Sequence, residues 1–378
     1  MTLNEKKILF LTFWYPSSKN PVRGIFIREH ALALKNHGCN VLVFAVDVDY
    51  GSRLFEVRNH RFTDPDGLCV YMVSVRSLFY KLIYVSNPLM NRLVFRHFRN
   101  NILPSFDPEI IHSSVLHPAA IAGHYICVRT GKPHIITEHW GKVGKFFNRS
   151  LFSSMGRRTY EHANYITAVS QWMKKELGNF VSDPDKIIVT PNVVDSVFKT
   201  AGYARDSTIR FTAVATWEPP KNISILVQAL EILSRELPFS ITLNIVGEGS
   251  LLDPILRNTE KYHFTITHHG YLSKPQIAAL LQHTDLFLHC SFGETFSIVI
   301  AEALSCGVPV VASEVAAIPE LVSNENGVLC SNDLANWVAA IRLAIGKDYD
   351  RKKIGAEASK RFSGESVAKQ FIQLYSRL

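Results

Sequence analysis

Short apolar runs, each long enough for a buried strand, recur along this chain. Between them lie segments whose apolar residues return with helical spacing. Runs at 7–13, 41–46, 110–112, 134–137, 165–168 and 187–190 form one series, with amphipathic segments at 25–36 and 119–129 among them. A second series follows Pro191-Asn192, with runs at 211–215, 242–246, 265–268, 286–288, 308–312 and 327–329 and helical patterns at 223–237, 274–283, 295–305 and 333–345. Uninterrupted apolar strands alternating with helices are the mark of parallel sheets covered on both faces. The pattern predicts an α/β chain made of two doubly wound domains. Its 378 residues also exceed the ~250–300 that one core usually supports.

The segment 195–208 (DSVFKTAGYARDST) is polar and aperiodic and reads as the hinge. Domains are therefore expected at 1–198 and 199–361. The tail is amphipathic through Val367, Phe371 and Leu374, and a helix over 362–378 is expected to pack back on the first domain. Ligands of such sheets bind beyond the carboxyl ends of the strands, so chemistry is to be sought there.

The opening residues run directly into an apolar strand, unlike a signal peptide. No apolar run reaches the ~18 residues a spanning helix needs, so a cytoplasmic protein is expected. Six scattered cysteines without a C-x-x-C pair read as reduced thiols rather than disulfides or zinc ligands. A net charge of +8 favours an anionic partner: nucleic acid, a phospholipid surface or a phosphorylated small molecule. Two stretches mix basic and aromatic residues. One, at 76–99, carries Arg76, Lys81, Arg92, Arg96 and Arg99; the other, at 142–158, carries Lys142, Lys145, Arg149 and Arg157. Each can lie on an anionic membrane or be an amphipathic helix packed on a core.

The most informative stretch is 291–312, SFGETFSIVIAEALSCGVPVVA. Glu294 and Glu302 are eight residues apart, and on one continuous helix eight steps of ~100° leave them about 80° apart, flanking one face. A helix start near Thr295–Ser297 would offer free N–H groups and a positive dipole end to a phosphate. A second acid further along could accept hydrogen bonds from sugar or ribose hydroxyls. The plainer reading is an N-cap acid followed by an ordinary helical glutamate. Glu302, however, sits among Ile300, Ala301, Ala303 and Leu304, where a solvated charge is unexpected.

This stretch resembles the Glu-x7-Glu motif of the retaining glycosyltransferases of family four. Other stations of that family occur in order: Thr137-Glu138-His139, Ala168-Val169-Ser170, Thr190 to Asp195, Ile245 to Gly249, His269 to Leu272 and Val315 to Glu320. The resemblance implies the GT-B architecture, two Rossmann-like domains facing a central cleft. It implies that Glu302 holds the donor ribose, that Glu294 meets the donor sugar hydroxyls, and that the backbone at Thr295, Phe296 and Ser297 lies near sugar or diphosphate. Lys221 would neutralise the leaving diphosphate, as phosphate gains charge when the glycosidic bond breaks; capping a loop is its plainer role. Gly247 and Thr216 would complete the donor side. The family usually has arginine where Thr216 stands, so a second cation is missing, and Arg23 is a possible substitute. Ala316-Ala317 replaces a pair of glycines. In the first domain, His139 would face the reaction centre, and Gly24 would let the backbone approach phosphate or simply make a turn.

Rival motifs are weak. Asp47-Val48-Asp49 is formally D-x-D but ends a strand of a Rossmann-like half. Gly247-Glu248-Gly249 continues to Leu252 rather than a third glycine, against a dinucleotide dehydrogenase. GKVGKF at 141–146 lacks the spacing of a P-loop. The resemblance thus implies a metal-independent hexosyltransferase without cofactor. Its substrates would be a UDP- or GDP-sugar and a sugar or lipid-linked acceptor of cell-surface polysaccharide or glycolipid synthesis. The enzyme would be cytoplasmic, either free or, through the two basic aromatic stretches, peripheral on the inner membrane face, with no nucleic-acid partner. The alternatives are an epimerase or phosphorylase of the same fold, or a non-catalytic membrane-binding scaffold.

Overall fold

The computed structural model describes residues 6–17, 20, 22–148, 150–203 and 206–378. The chain's opening residues 1–5, three positions of the first turn (18, 19 and 21), Arg149 of the second basic stretch and Ala204-Arg205 of the hinge lie outside the described residues.

Two compact units form: Met1–Val193 with Gly364–Leu378, and Val194–Ser363. The first contains β1 (Lys7–Thr12), α1 (Ile25–Asn36), β2 (Asn40–Tyr50), β3 (Glu56–Thr63), β4 (Cys69–Ser77), α2 (Tyr80–Val85), α3 (Asn87–His97), β5 (Ile110–Ser114), α4 (Ile121–Thr130), β6 (His134–Glu138), α5 (Val143–Phe147), α6 (Ser150–His162), β7 (Tyr165–Ala168), α7 (Gln171–Gly178) and β8 (Ile187–Val189). Its sheet runs β3-β4-β2-β1-β5-β6-β7-β8, all parallel except β3, which is antiparallel to β4. β1 is apolar from Ile8 to Leu11 because both faces are covered: Ile8 and Phe10 point into one core, Leu9 and Leu11 into the other.

The second unit contains β9 (Thr208–Val214), α8 (Ile223–Glu236), β10 (Ser240–Val246), α9 (Asp253–Leu256), β11 (Thr265–His268), α10 (Lys274–Gln282), β12 (Leu286–His289), α11 (Ile298–Ser305), β13 (Val310–Ser313), β14 (Gly327–Cys330), α12 (Leu334–Ile345) and α13 (Arg351–Phe362). Its parallel sheet runs β11-β10-β9-β12-β13-β14. Residues 194 and 195 bond within this unit: the Val194 N–H donates to the Phe362 carbonyl at 2.8 Å, and Lys274 Nζ lies 3.0 Å from Asp195 Oδ2. The last helix, α14 (Gly364–Tyr375), packs on α1 of the first unit. Tyr375 Oη there lies 2.6 Å from His112 Nδ1.

The structure corrects the sequence pattern in three places. Residues 56–77 form the hairpin β3–β4, so Arg76 closes a strand rather than opening a helix. β3 escaped notice because it is a polar, exposed edge strand, the kind that resists association through its charge. α13, charged at six of its twelve positions, lacks a strong apolar period. The third correction, the start of α11, belongs to the site.

Candidate active site

In the second unit the loops after β9 and β12 are joined by an antiparallel bridge between Lys221 and Ser291. The Asn222 N–H donates to the Cys290 carbonyl at 3.1 Å and the Phe292 N–H to the Pro220 carbonyl at 2.9 Å. Ser291 is fixed from behind, its N–H donating to Ser313 Oγ at 3.0 Å and its carbonyl accepting from Asn332 Nδ2 at 2.9 Å. This frame delivers Lys221 Nζ to 2.5 Å from Glu294 Oε1. The same carboxylate oxygen lies 2.9 Å from His289 Nε2, which is also 3.2 Å from Ser297 Oγ. Facing a carboxylate, that ring nitrogen carries the proton. Burial alone would raise the Glu294 pKa. The hydrogen bond and field of His289, with the Lys221 ammonium, outweigh it and hold the acid at about 2. At neutral pH the site keeps one carboxylate and one ammonium in contact.

α11 begins at Ile298, not at Thr295. Ser297 precedes it with φ 69°, a left-handed conformation costly for a residue with Cβ. Glu294 and Glu302 therefore do not share a helix, and the eight-step rotation does not describe them. The loop itself turns Glu294 toward Lys221, while Glu302 sits half-buried on α11 and raises the Cys306 thiol, already raised by burial, to about 12. Phe296 is a core residue, its ring 5.5 Å edge-on from Phe362, so only its backbone can face a ligand. Thr295 is half-buried beside it, and Thr216 is exposed in the β9 loop.

Gly247 has a structural reason of its own. Its φ is 102°, and a Cβ there would come within 1.9 Å of the Ala215 carbonyl oxygen, so the loops after β9 and β10 meet only through glycine. Ala316, where the resemblance has glycine, adopts φ 48°, the region glycine favours. Its neighbour Ala317 donates its N–H to the Glu294 carbonyl at 3.2 Å.

In the first unit the turn after β1 and the end of β6 come together. Gly24 caps α1 at φ 68°, and a Cβ would lie 2.1 Å from the Trp14 carbonyl oxygen; a tight turn accounts for the glycine. Two residues on, the Phe26 ring lies 4.4 Å from that of His139. His139 is buried, and neither ring nitrogen has a hydrogen-bond partner. Burial, with the fields of His30 and His112, keeps it neutral. Its backbone is anchored by Glu138, whose buried carboxylate accepts from the His139, Trp140 and Leu116 N–H groups at 3.0, 2.9 and 2.8 Å and from Tyr160 Oη at 3.1 Å. Burial nonetheless keeps the Glu138 pKa raised.

Arg23 lies 3.4 Å from Asp47, which Arg76 approaches to 2.6 Å, so the first acid of the D-x-D sequence is taken up by arginines. Beside this pair opens a cavity of about 470 Å³ lined by Phe13, Tyr15, Asp47, His60, Phe62 and Arg76, among others. Sequence reasoning missed this cavity, Glu138's anchoring role and His289. A histidine closing a strand five residues before Glu294 was the available signal for the last.

Two family models match the chain in succession: Glycosyltransferase Family 4 over residues 24–198 and Glycosyl transferases group 1 over 208–346. The chain belongs to the group 1, family 4 glycosyltransferases. It is 28% identical over 253 residues to O-antigen chain mannosyltransferase B of Escherichia coli, a match spanning 62% of this chain and 65% of that enzyme. It is 24% identical over 284 residues to N-acetyl-alpha-D-glucosaminyl L-malate synthase of Bacillus anthracis, spanning 69% of this chain and 74% of the relative. Among solved structures, HepE of Anabaena in complex with UDP aligns with a TM-score of 0.73 at 18% identity, covering 98% of this chain and all of that one. The fold of this glycosyltransferase is GT-B.

Proposed function

We propose that this enzyme is a retaining, metal-independent hexosyltransferase. It takes a UDP- or GDP-sugar and passes the sugar to a saccharide or lipid-linked acceptor in polysaccharide or glycolipid synthesis, working at the cytoplasmic face of the membrane. The observation that carries the reading is the Lys221–Glu294 pair at 2.5 Å, set at the carboxyl ends of β9 and β12 next to α11. Solved relatives in fold are complexes with UDP and with UDP-glucose, which supports such a donor here.

In this reading the diphosphate takes over the Lys221 ammonium, and Glu294, released, accepts from the sugar hydroxyls. Glu302 accepts from the ribose. As the bond from the anomeric carbon to the β-phosphate oxygen breaks, Lys221 meets the charge that collects on phosphate, where one well-placed cation or donor contributes roughly 3–4 kcal/mol. The acceptor oxygen bonds to the anomeric carbon on the same face, and its proton passes to the departing phosphate. Lys221 thereby supplies a positive charge that a metal ion supplies in other transferases. His139, neutral and unpartnered, donates to the donor sugar. The unit-one cavity beside Asp47 and Arg76 offers aromatic walls and charged groups to an acceptor saccharide.

The test is release of nucleoside diphosphate from a panel of UDP- and GDP-sugars, with chelator present. Turnover should persist in chelator and fall at least tenfold in both Lys221→Ala and Glu302→Ala. Unchanged rates in these variants would refute the site, and loss in chelator the metal independence.

A further inference from the structure

We infer that the first unit docks on an anionic phospholipid bilayer through the rim formed by the end of β2, the 51–55 loop and the segment 78–89. The inference deepens the proposed function by naming the surface that holds the enzyme where a lipid-linked acceptor lies. Eight of the sixteen large apolar side chains exposed among the described residues fall within 50–89. Tyr50, Leu54, Phe79 and Leu82 are the most open, at 60, 70, 57 and 66%. The stretches are physically joined. The Leu78 N–H donates to the Arg53 carbonyl at 2.9 Å and the Gly51 N–H to the Ser77 carbonyl at 3.2 Å, while the Tyr50 and Tyr80 rings meet edge-on at 6.4 Å. These contacts gather exposed apolar side chains into one ridge rather than leaving them scattered singly.

Charge selects the occupant. From 67 to 106 the chain has no aspartate or glutamate, yet it carries Arg76, Lys81, Arg92, Arg96 and Arg99. Lys81, Arg92 and Arg96 are exposed, and the Arg53 and Arg58 side chains are 72 and 76% exposed. The nearby acids do not reverse this sign: Glu56 sits between Arg53 and Arg58, and Asp49 Oδ1 takes the Tyr50 N–H at 2.7 Å. Apolar side chains flanked by cations that outnumber the acids fit a layer of anionic headgroups over acyl chains. A second copy of this chain would set like charges against each other. α2 turns Ile83 inward and Leu82 and Val85 outward, and no described helix is long and apolar enough to cross a membrane, so the contact lies in the interface plane.

The ridge stands at the carboxyl ends of β2 and β4, and Arg76, which closes β4, also lines the cavity that opens beside Asp47. A saccharide carried on a lipid could thus enter that cavity while its tail stays in the bilayer. The other basic stretch is built differently: Phe146 and Phe147 of α5 are buried at 7 and 8% exposure and offer no apolar face.

The test is co-sedimentation of the full chain, at low salt, with vesicles of phosphatidylcholine with and without phosphatidylglycerol. The wild type should pellet only with the anionic vesicles. Phe79→Glu with Leu82→Glu should lower partitioning at least tenfold, and Lys81→Gln and Arg92→Gln about fivefold each, from ~1 kcal/mol per basic residue at the surface. These positions are exposed, so melting temperature and donor hydrolysis should not change. Lys221→Ala should pellet as the wild type does, which separates a failed donor site from a failed docking surface. A wild type that stays in the supernatant, or ridge variants that pellet normally, would overturn the inference. A change of oligomeric state in the ridge variants without lipid would do the same, by assigning the ridge to a second copy.

Discussion

The two sheets end in opposite chemistries. Where β9 and β12 stop, charge is kept and paired: Lys221, Glu294 and His289 converge on one carboxylate oxygen. Where β1, β5 and β6 stop, polar groups are kept neutral. His117, just after β5, is lowered by burial to about 4, and His139, just after β6, carries no partner on either nitrogen; burial likewise lowers His30 on α1 to about 4 and His134 at the start of β6 to about 3. An ion pair that a stronger anion can split suits a diphosphate. Dry, neutral imidazoles suit hydroxyl groups, which need donors and acceptors but no net charge.

Acid should break this contrast most visibly. Below the ordinary histidine pKa of 6.5 the unfolded chain takes up protons that buried His30, His117 and His134 refuse, so the first unit loses stability as pH falls from 6.5 toward 4. By pH 5 the loss is about 2 kcal/mol for each of the three. Glu294 behaves oppositely, since its depressed pKa stabilises fully above about 4.5 and the contribution is lost only as pH falls toward 2. Hydrogen exchange at pH 7 and pH 5 should show amides of β1, β5 and β6 opening sooner at pH 5, after correction for intrinsic rates, while those of β9 and β12 change little. Equal loosening of both sheets would contradict the contrast.

Next in size is Lys221→Ala, expected to cut kcat/KM about 100-fold by analogy with loss of one transition-state donor. Lys221→Arg should recover part of that. His139→Ala should cost about tenfold in kcat, the scale of one hydrogen bond, with nucleotide affinity unchanged by calorimetry. If nucleotide affinity fell as well, the neutral end would be part of the diphosphate site and the distinction between the two ends would be lost.

The smallest effect concerns backbone. Ala316→Gly should raise stability by up to about 1 kcal/mol, measured by urea unfolding, because glycine adopts φ 48° without the Cβ clash. A destabilised variant would show that the unfolded-state entropy of glycine outweighs the local strain.

Much of this was legible in the sequence. The two strand–helix series set the fold, since buried parallel strands must be apolar on both faces, and the Glu294 to Glu302 spacing marked the site's loop. What escaped depends on tertiary contact. No pattern in the letters reveals that Ser297 sits at φ 69° and starts α11 three residues late. Gly247 read as a donor-side residue, and its packing against the Ala215 carbonyl, which only glycine allows, was not visible. β3 was hidden because an exposed edge strand has no buried face to create a period. The basic stretches looked alike in sequence, and only burial separated the open ridge at 78–89 from the packed rings of α5.

The central claim is that Lys221 and Glu294 form the seat of a nucleoside diphosphate sugar. Crystals soaked with UDP or GDP test it most directly. The account predicts phosphate oxygens within hydrogen-bond reach of Lys221 Nζ, Glu294 parted from that ammonium, and ribose hydroxyls on Glu302. Nucleotide bound at another place, with the Lys221–Glu294 pair intact, would contradict it.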